Sequence, residues 1–141
     1  MLTIQCETNP QSVPPRAKLR RWARAALKRN VQVTLRIVGA REARALNRRY
    51  RNKDYATNVL TFVYDGQRPL SGDIALCAPV VAREARTQGI SRDAHYAHLV
   101  VHGMLHLQGH DHQKAVDARR MERLETRILE QLGYADPYAN L

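Results

Sequence analysis

The chain has 141 residues and a formal net charge of +10 at neutral pH, with one Trp and one Phe among abundant aliphatic residues. That is enough for a single domain, residues 1–141, around one largely aliphatic core. No apolar run approaches the roughly 20 residues that cross a bilayer, so no membrane partner is expected. The opening M-L-T-I-Q-C-E lacks a basic segment followed by an apolar one. No secretory signal is therefore expected, and the expected compartment is the cytoplasm. Cys6 and Cys77 are then expected as buried thiols with no disulfide partner.

In chain order, Leu2 to Cys6 reads as a first strand, and Asn9 to Pro15 as a turn. From Arg16 to Arg29, Leu19, Trp22, Ala23, Ala26 and Leu27 recur at helical spacing, with cations on the other face. Val31 to Val38 alternates as a half-covered strand. Ala40 to Arg49 is a short basic helix, Tyr50 to Asn58 a polar loop, and Val59 to Tyr64 a strand. Asp65-Gly66 and Pro69 mark a loop before a strand at Ile74 to Cys77. A helix from Ala78 to Thr87 closes at Gly89. Ser91 caps the next, which runs to Gln108 and is apolar nearly all round, hence buried. Gln113 to Leu132 forms the last helix, with Val116, Met121, Leu124, Ile128 and Leu132 inward, and the tail after Gly133 is expected to fray. The fold class is α+β: a small, mostly four-stranded mixed sheet packed against helices, with a central buried histidine-bearing helix.

Charge is uneven along this plan. Residues 1–53 hold 14 Lys and Arg against 2 acidic residues, a net +12, while residues 54–141 hold 9 against 11, a net −2. A composition bias acts on both halves, so this asymmetry points to a polyanion held beside the active centre. The candidate contacts are Arg16, Lys18, Arg20, Arg21, Arg24 and Lys28 on the first helix, and Arg41, Arg44, Arg48, Arg49 and Lys53 on and after the second.

All six histidines fall between His95 and His112. At about 100° per residue, His95, His98, His102 and His106 project within an arc of about 80°. Such a stripe on a buried helix must face something that satisfies it. His102 and His106 lie one turn apart on one face, and Gly109 ends the helix so that the chain can return a third imidazole. His112 is the candidate third ligand and His110 its competitor. Asp111 can brace the turn or accept a proton from a ligand imidazole, and His98 lines the pocket or supports a ligand. Three imidazoles with one open position are the usual arrangement of catalytic zinc. Gly103 stands where a zinc protease carries its general-base Glu, and its missing side chain suits close approach of a strand.

The run His102-Gly-Met-Leu-His-Leu-Gln-Gly-His-Asp-His112 closely resembles the signature H-G-x-L-H-L-x-G-Y-D-H of the bacterial YbeY family, the endoribonucleases of rRNA maturation. Leu46-Asn47 through Arg51, Lys53 and Asp54 resemble L-N-x-x-Y-R-G-K-D. Thr57 to Phe62 resembles T-N-V-L-S-F. Gly72-Asp73-Ile74 and His98-Leu99 follow in order, so the likeness spans roughly residues 46–112. It implies that His102, His106 and His112 hold one divalent zinc-type ion, with zinc the first choice and nickel an alternative. It implies a basic catalytic role for Arg51. It further implies single-strand-specific cleavage in rRNA processing, including the 16S 3′ end, with 30S maturation and ribosome quality control, and partners in rRNA and the small ribosomal subunit or its assembly proteins. His110 in place of Tyr, Asn52 for Gly, Ala56 for Pro and Thr61 for Ser are the departures.

The expected chemistry is metal-assisted hydrolysis of an RNA phosphodiester, by water or by a ribose 2′-hydroxyl. Arg51 clamps the phosphate through its planar fork. Asp73 is a candidate to orient an imidazole or act on water, and Asn58 a candidate loop brace or phosphate donor. Two other readings of the same residues stand beside this one: a metal-dependent peptidase or amidohydrolase, and a non-catalytic RNA-binding assembly factor with a structural metal.

Overall fold

A computed structural model describes residues 1–64, 70–109 and 115–139. Its strands are β1 (Leu2–Cys6), β2 (Val31–Val38), β3 (Val59–Tyr64) and β4 (Leu70–Cys77). Its helices are α1 (Arg16–Ala25), α2 (Ala40–Arg51), α3 (Ala78–Gln88), α4 (Arg92–Leu107) and α5 (Ala115–Gln131), with a short 3-10 turn at Pro10–Ser12. The strands form one mixed sheet in the order β1-β2-β4-β3: β1, β2 and β4 run parallel, and β3 pairs antiparallel with β4. This is the expected α+β domain with four mixed strands and a buried histidine helix.

Strand alternation decides what lies on each face. Val33, Leu35 and Ile37 of β2 and Ile74 and Leu76 of β4 join the main core with Leu19, Trp22 and Ala23 of α1, Met104 and Leu105 of α4, and Met121 and Ile128 of α5. The opposite face packs Val38 and Cys77 on Ala43 of α2 and Val80 of α3. Beside them, Leu60 and Ala75 pack on Leu46 of α2. The two basic helices therefore sit on opposite faces of the sheet and form two cationic surfaces.

Helix α4 is central. Ser91 caps it, its hydroxyl accepting from the Ala94 amide at 3.0 Å. Val100, Val101 and Leu105 are fully buried and Met104 nearly so, each aliphatic contributing about 1.5–3 kcal/mol relative to exposure. Gly103 faces β4, and a Cβ there would lie 2.9 Å from Ile74 Cγ2. The expected close approach of a strand is the reason for the glycine.

Several boundaries differ from those read in the sequence. α1 stops at Ala25 because the amides of Lys28 and Arg29 turn to Gln108 Oε1, at 2.6 and 2.9 Å, and Leu27 is exposed. The same Gln108 amide donates to the carbonyls of Ala26 and Met104, both at 2.8 Å. α2 runs on to Arg51, with Asn52 in the left-handed conformation at φ 57°, a position that accepts Asn in place of the family's Gly. β4 begins at Leu70, well before Ile74. The tail is tied down: Tyr134 meets Trp22 edge to face at 6.1 Å, and Asp136 accepts from Thr126 Oγ1 and from the Tyr138 amide. Cys77 is buried and Cys6 half-buried, both as free thiols. Val116, expected inward, lies outside the residues whose side chains are described.

Candidate metal centre and RNA-facing surface

The histidine stripe follows α4 as its spacing requires, with ring centroids 6.4 Å apart for His95 and His98 and 6.3 Å for His98 and His102. His95, His98 and His102 face α3, α5 and the C-terminal segment. His95 Nε2 lies 2.9 Å from Glu84 Oε1, and the Asn58 side-chain amide donates to the same oxygen at 3.0 Å. Asn58 thus braces α3 against the loop before β3. Burial isolates His95, whereas His98, His102 and His106 are only partly covered. A hollow of about 520 Å³ opens beside His98, bordered by Asn58, Glu84, His95, Tyr134 and Tyr138.

Glu125 of α5 is the residue that sequence reading missed. It has no solvent exposure. Its Oε1 lies 2.5 Å from His102 Nδ1, and its Oε2 lies 3.2 Å from His98 Nε2 and accepts from the Tyr138 hydroxyl. Burial pushes its pKa up, but the hydrogen bonds from His102, His98 and Tyr138 outweigh this and hold it down at about 2. Glu125 thus offers His102 Nδ1 a carboxylate acceptor. A signal existed: Met121, Glu125, Ile128 and Leu132 share one helical face, so this carboxylate stands in an apolar stripe.

His102 and His106 come from successive turns of α4, as expected. His112, its competitor His110 and the bracing candidate Asp111 lie outside the described residues. Among the described residues no three His, Cys, Asp or Glu side chains gather as a metal cage. The donor chemistry nonetheless fits a borderline metal: two imidazoles on one helix face, one of them backed by a buried carboxylate.

Arg51 is exposed in the last turn of α2, where Arg48 and Arg49 also complement the helix dipole. The loop after it is held by Asn47, whose side-chain amide donates to the Tyr55 carbonyl at 2.9 Å. Asp73 alternates with Gly72 and Ile74, so it projects from the α2 face, opposite the histidine helix. There it accepts from the Tyr64 hydroxyl at 2.6 Å. Asp73 therefore stands on the other side of the sheet from His98, His102 and His106, imidazoles among the described residues.

The candidate RNA-binding cations divide. Arg16 and Arg20 donate to the carbonyls of Ile4 and Leu2, securing α1 to β1. Lys18 pairs with Asp93 and Arg44 with Asp54. Arg21, Arg24, Lys28, Arg41, Arg48, Arg49 and Lys53 are exposed. Exposed aromatic rings lie among the α2 cations: Tyr50 packs on Phe62 at 4.8 Å, with the Arg49 guanidinium 6.0 Å from the Tyr50 ring.

The small mixed sheet carries the histidine helix α4 on one face and the cationic helix α2 on the other. The pattern of the family described as endoribonuclease YbeY matches residues 3–133, and the chain belongs to that family. It is 61% identical over 126 residues to endoribonuclease YbeY of Aromatoleum aromaticum, covering 89% of this chain and 82% of that one. It is likewise 61% identical over 125 residues to endoribonuclease YbeY of Methylibium petroleiphilum, covering 89% and 84%. The solution structure of TM1509 from Thermotoga maritima shares the fold, with a TM-score of 0.65 at 24% identity over 94% of this chain and 89% of that one. Family membership makes the chain an endoribonuclease of RNA processing in ribosome biogenesis and carries metal dependence in general terms. Among the described residues, no helix is long and apolar enough to cross a membrane.

Proposed function

We propose that this endoribonuclease cuts single-stranded rRNA in the cytoplasm, including the 16S 3′ end, during 30S maturation and quality control. Its partners in this reading are the small ribosomal subunit or its assembly proteins. His102, His106 and His112 hold one zinc-type ion, with nickel the alternative. The observation that carries the reading is the His102 imidazole, fixed by a buried carboxylate on a helix that presents His106 one turn later. An ion held there supplies Lewis acidity towards a phosphoryl oxygen and lowers the pKa of water.

The protein's own groups do the rest. Arg51 receives the scissile phosphate in its planar fork and stabilises charge that grows on the phosphoryl oxygens. Arg41, Arg48, Arg49 and Lys53 track the backbone on either side. The exposed ring of Tyr50 offers a stacking surface for an unpaired base, which suits a single strand better than a duplex. Asp73 enters as the residue that positions Tyr64 at the sheet edge. Glu125 does not replace the missing protease base, because it is fully buried and already accepts from three groups.

The test uses purified protein, chelated and then reloaded with zinc or nickel, mixed with RNA carrying a single-stranded 16S-like 3′ end and, separately, with casein. Chelation should abolish RNA cleavage while RNA binding persists, and reloading should restore it. Cleavage of casein, or RNA turnover indifferent to chelation, would overturn the reading.

A further inference from the structure

We propose that Glu125 is the positioning residue of the metal centre, holding the His102 imidazole with its proton on Nδ1 so that Nε2 is the nitrogen presented to the ion. This rests on the reading of His102 as a ligand. Glu125 lies in α5, 23 residues from His102 in sequence, and its side chain is wholly buried. A carboxylate there is an expensive way to fill a core, since an apolar residue of similar volume fits an aliphatic stripe at less cost. Its geometry gives the reason. Tyr138 and His98 both engage Oε2, which turns Oε1 onto His102 Nδ1 at 2.5 Å.

The support extends outward. The Tyr138 hydroxyl reaches Glu125 from the C-terminal segment, and that segment is itself fixed. Asp136 accepts from the Tyr138 amide at 2.8 Å and from Thr126 Oγ1 at 3.1 Å, which ties it to the residue after Glu125. His98, one turn before His102, closes the set with its Nε2 at 3.2 Å from the Tyr138 hydroxyl. Tyr138 and Asp136 thus act on His102 through the carboxylate. A carboxylate behind a ligand imidazole fixes the tautomer, fixes the ring plane and raises ligand basicity. Losing such a partner typically weakens metal binding by about 10–100-fold.

The test compares wild type, Glu125→Met, Glu125→Gln, Tyr138→Phe and His102→Ala by two readouts. The first is zinc(II) affinity, measured by competition with a chromophoric chelator. The second is the His102 tautomer in metal-free, 15N-labelled protein, from long-range 1H–15N spectra at one neutral pH. Wild type should show the Nδ1–H form. Glu125→Met should lose that form and bind zinc about 10–100-fold more weakly. Glu125→Gln, which keeps one acceptor, should fall between the two, and Tyr138→Phe should weaken binding least. If Glu125→Met does not fold, the glutamine variant carries the comparison, since it preserves size. Unchanged zinc affinity in the folded Glu125 variants, or the proton on Nε2 in wild type, would overturn the inference while leaving the ligand assignment intact. Unchanged affinity in His102→Ala would defeat the ligand assignment, and this inference with it.

Discussion

Gly103 of α4 and Ile74 of β4 leave no room between them for a methyl group: a Cβ at position 103 would lie 2.9 Å from Ile74 Cγ2 and 3.2 Å from its Cδ1. The contact sets the depth at which the histidine helix rests on the sheet. Gly103→Ala should therefore destabilise the protein by about 1–3 kcal/mol through overpacking, less the roughly 1 kcal/mol that alanine gains in helix propensity. Urea unfolding measures the balance. A variant as stable as wild type or more so would show that the helix shifts freely and that the glycine is incidental.

The third metal ligand is separable from its neighbour. His112→Ala should strip most of the metal from purified protein, and His110→Ala should leave the content near wild type. Elemental analysis of both variants, beside His106→Ala, decides the register. Retention in His112→Ala with loss in His110→Ala would move the third ligand by two residues.

Arg51 and Lys28 should fail differently. Lys28 follows α1 on one face of the sheet, whereas Arg51 ends α2 on the other. Lys28→Ala should raise KM or Kd and lower the steepness of the salt dependence by up to about 0.7 in logarithmic slope, the contribution of one single-strand phosphate contact. Arg51→Ala should lower turnover even at saturating RNA, as expected of a contact that strengthens in the transition state. Equal small losses of affinity with turnover untouched in both would make Arg51 an ordinary surface cation.

Arg36 of β2 holds Glu7, just past β1, through paired hydrogen bonds at 2.8 and 2.9 Å, and these keep the Glu7 carboxyl below its usual value near 4.5. A folded pKa below the unfolded one adds stability above the unfolded value, and that stability fades as pH falls through the folded one. Wild type should therefore melt above Glu7→Gln at neutral pH, with the gap closing as pH falls below the usual carboxylate range. Because Glu7 is partly exposed the gap should be small and should shrink in salt. A gap that widens in acid would contradict the sign.

The sequence carried the sheet's strands and the burial of the histidine helix because strand alternation and an all-apolar helix are local patterns. Val31–Val38 falls where its alternation places it, and Val59–Tyr64 where its β-branched and aromatic residues do. What it could not carry were endings set by distant partners. The extent of α1 depends on the side chain of Gln108, just past α4, and the firmness of the tail on Trp22 and Glu125. The side of the sheet taken by Asp73 follows once β4 is seen to begin at Leu70, a start set by its pairing with β2 and β3 and not by a local pattern. Two of the proposed ligands were visible as an i, i+4 pair. Their carboxylate support left a local mark, a Glu in the apolar stripe of α5, but its partner could be named only once α5 is packed on α4.

Three hydrogen bonds of the Gln108 side chain reach Ala26, Lys28 and Arg29, just past α1, across 79 to 82 residues of chain. On a ribosome, where the N-terminal segment emerges first, those partners must wait until a further 79 to 82 residues have been made. Until then the end of α1, with its unsatisfied amides and arginine-rich outer side, belongs to an unfinished chain beside a large polyanion. Completion of the histidine helix is thus also the moment at which the first helix acquires its terminus, so a nascent chain stopped short of residue 108 would have neither.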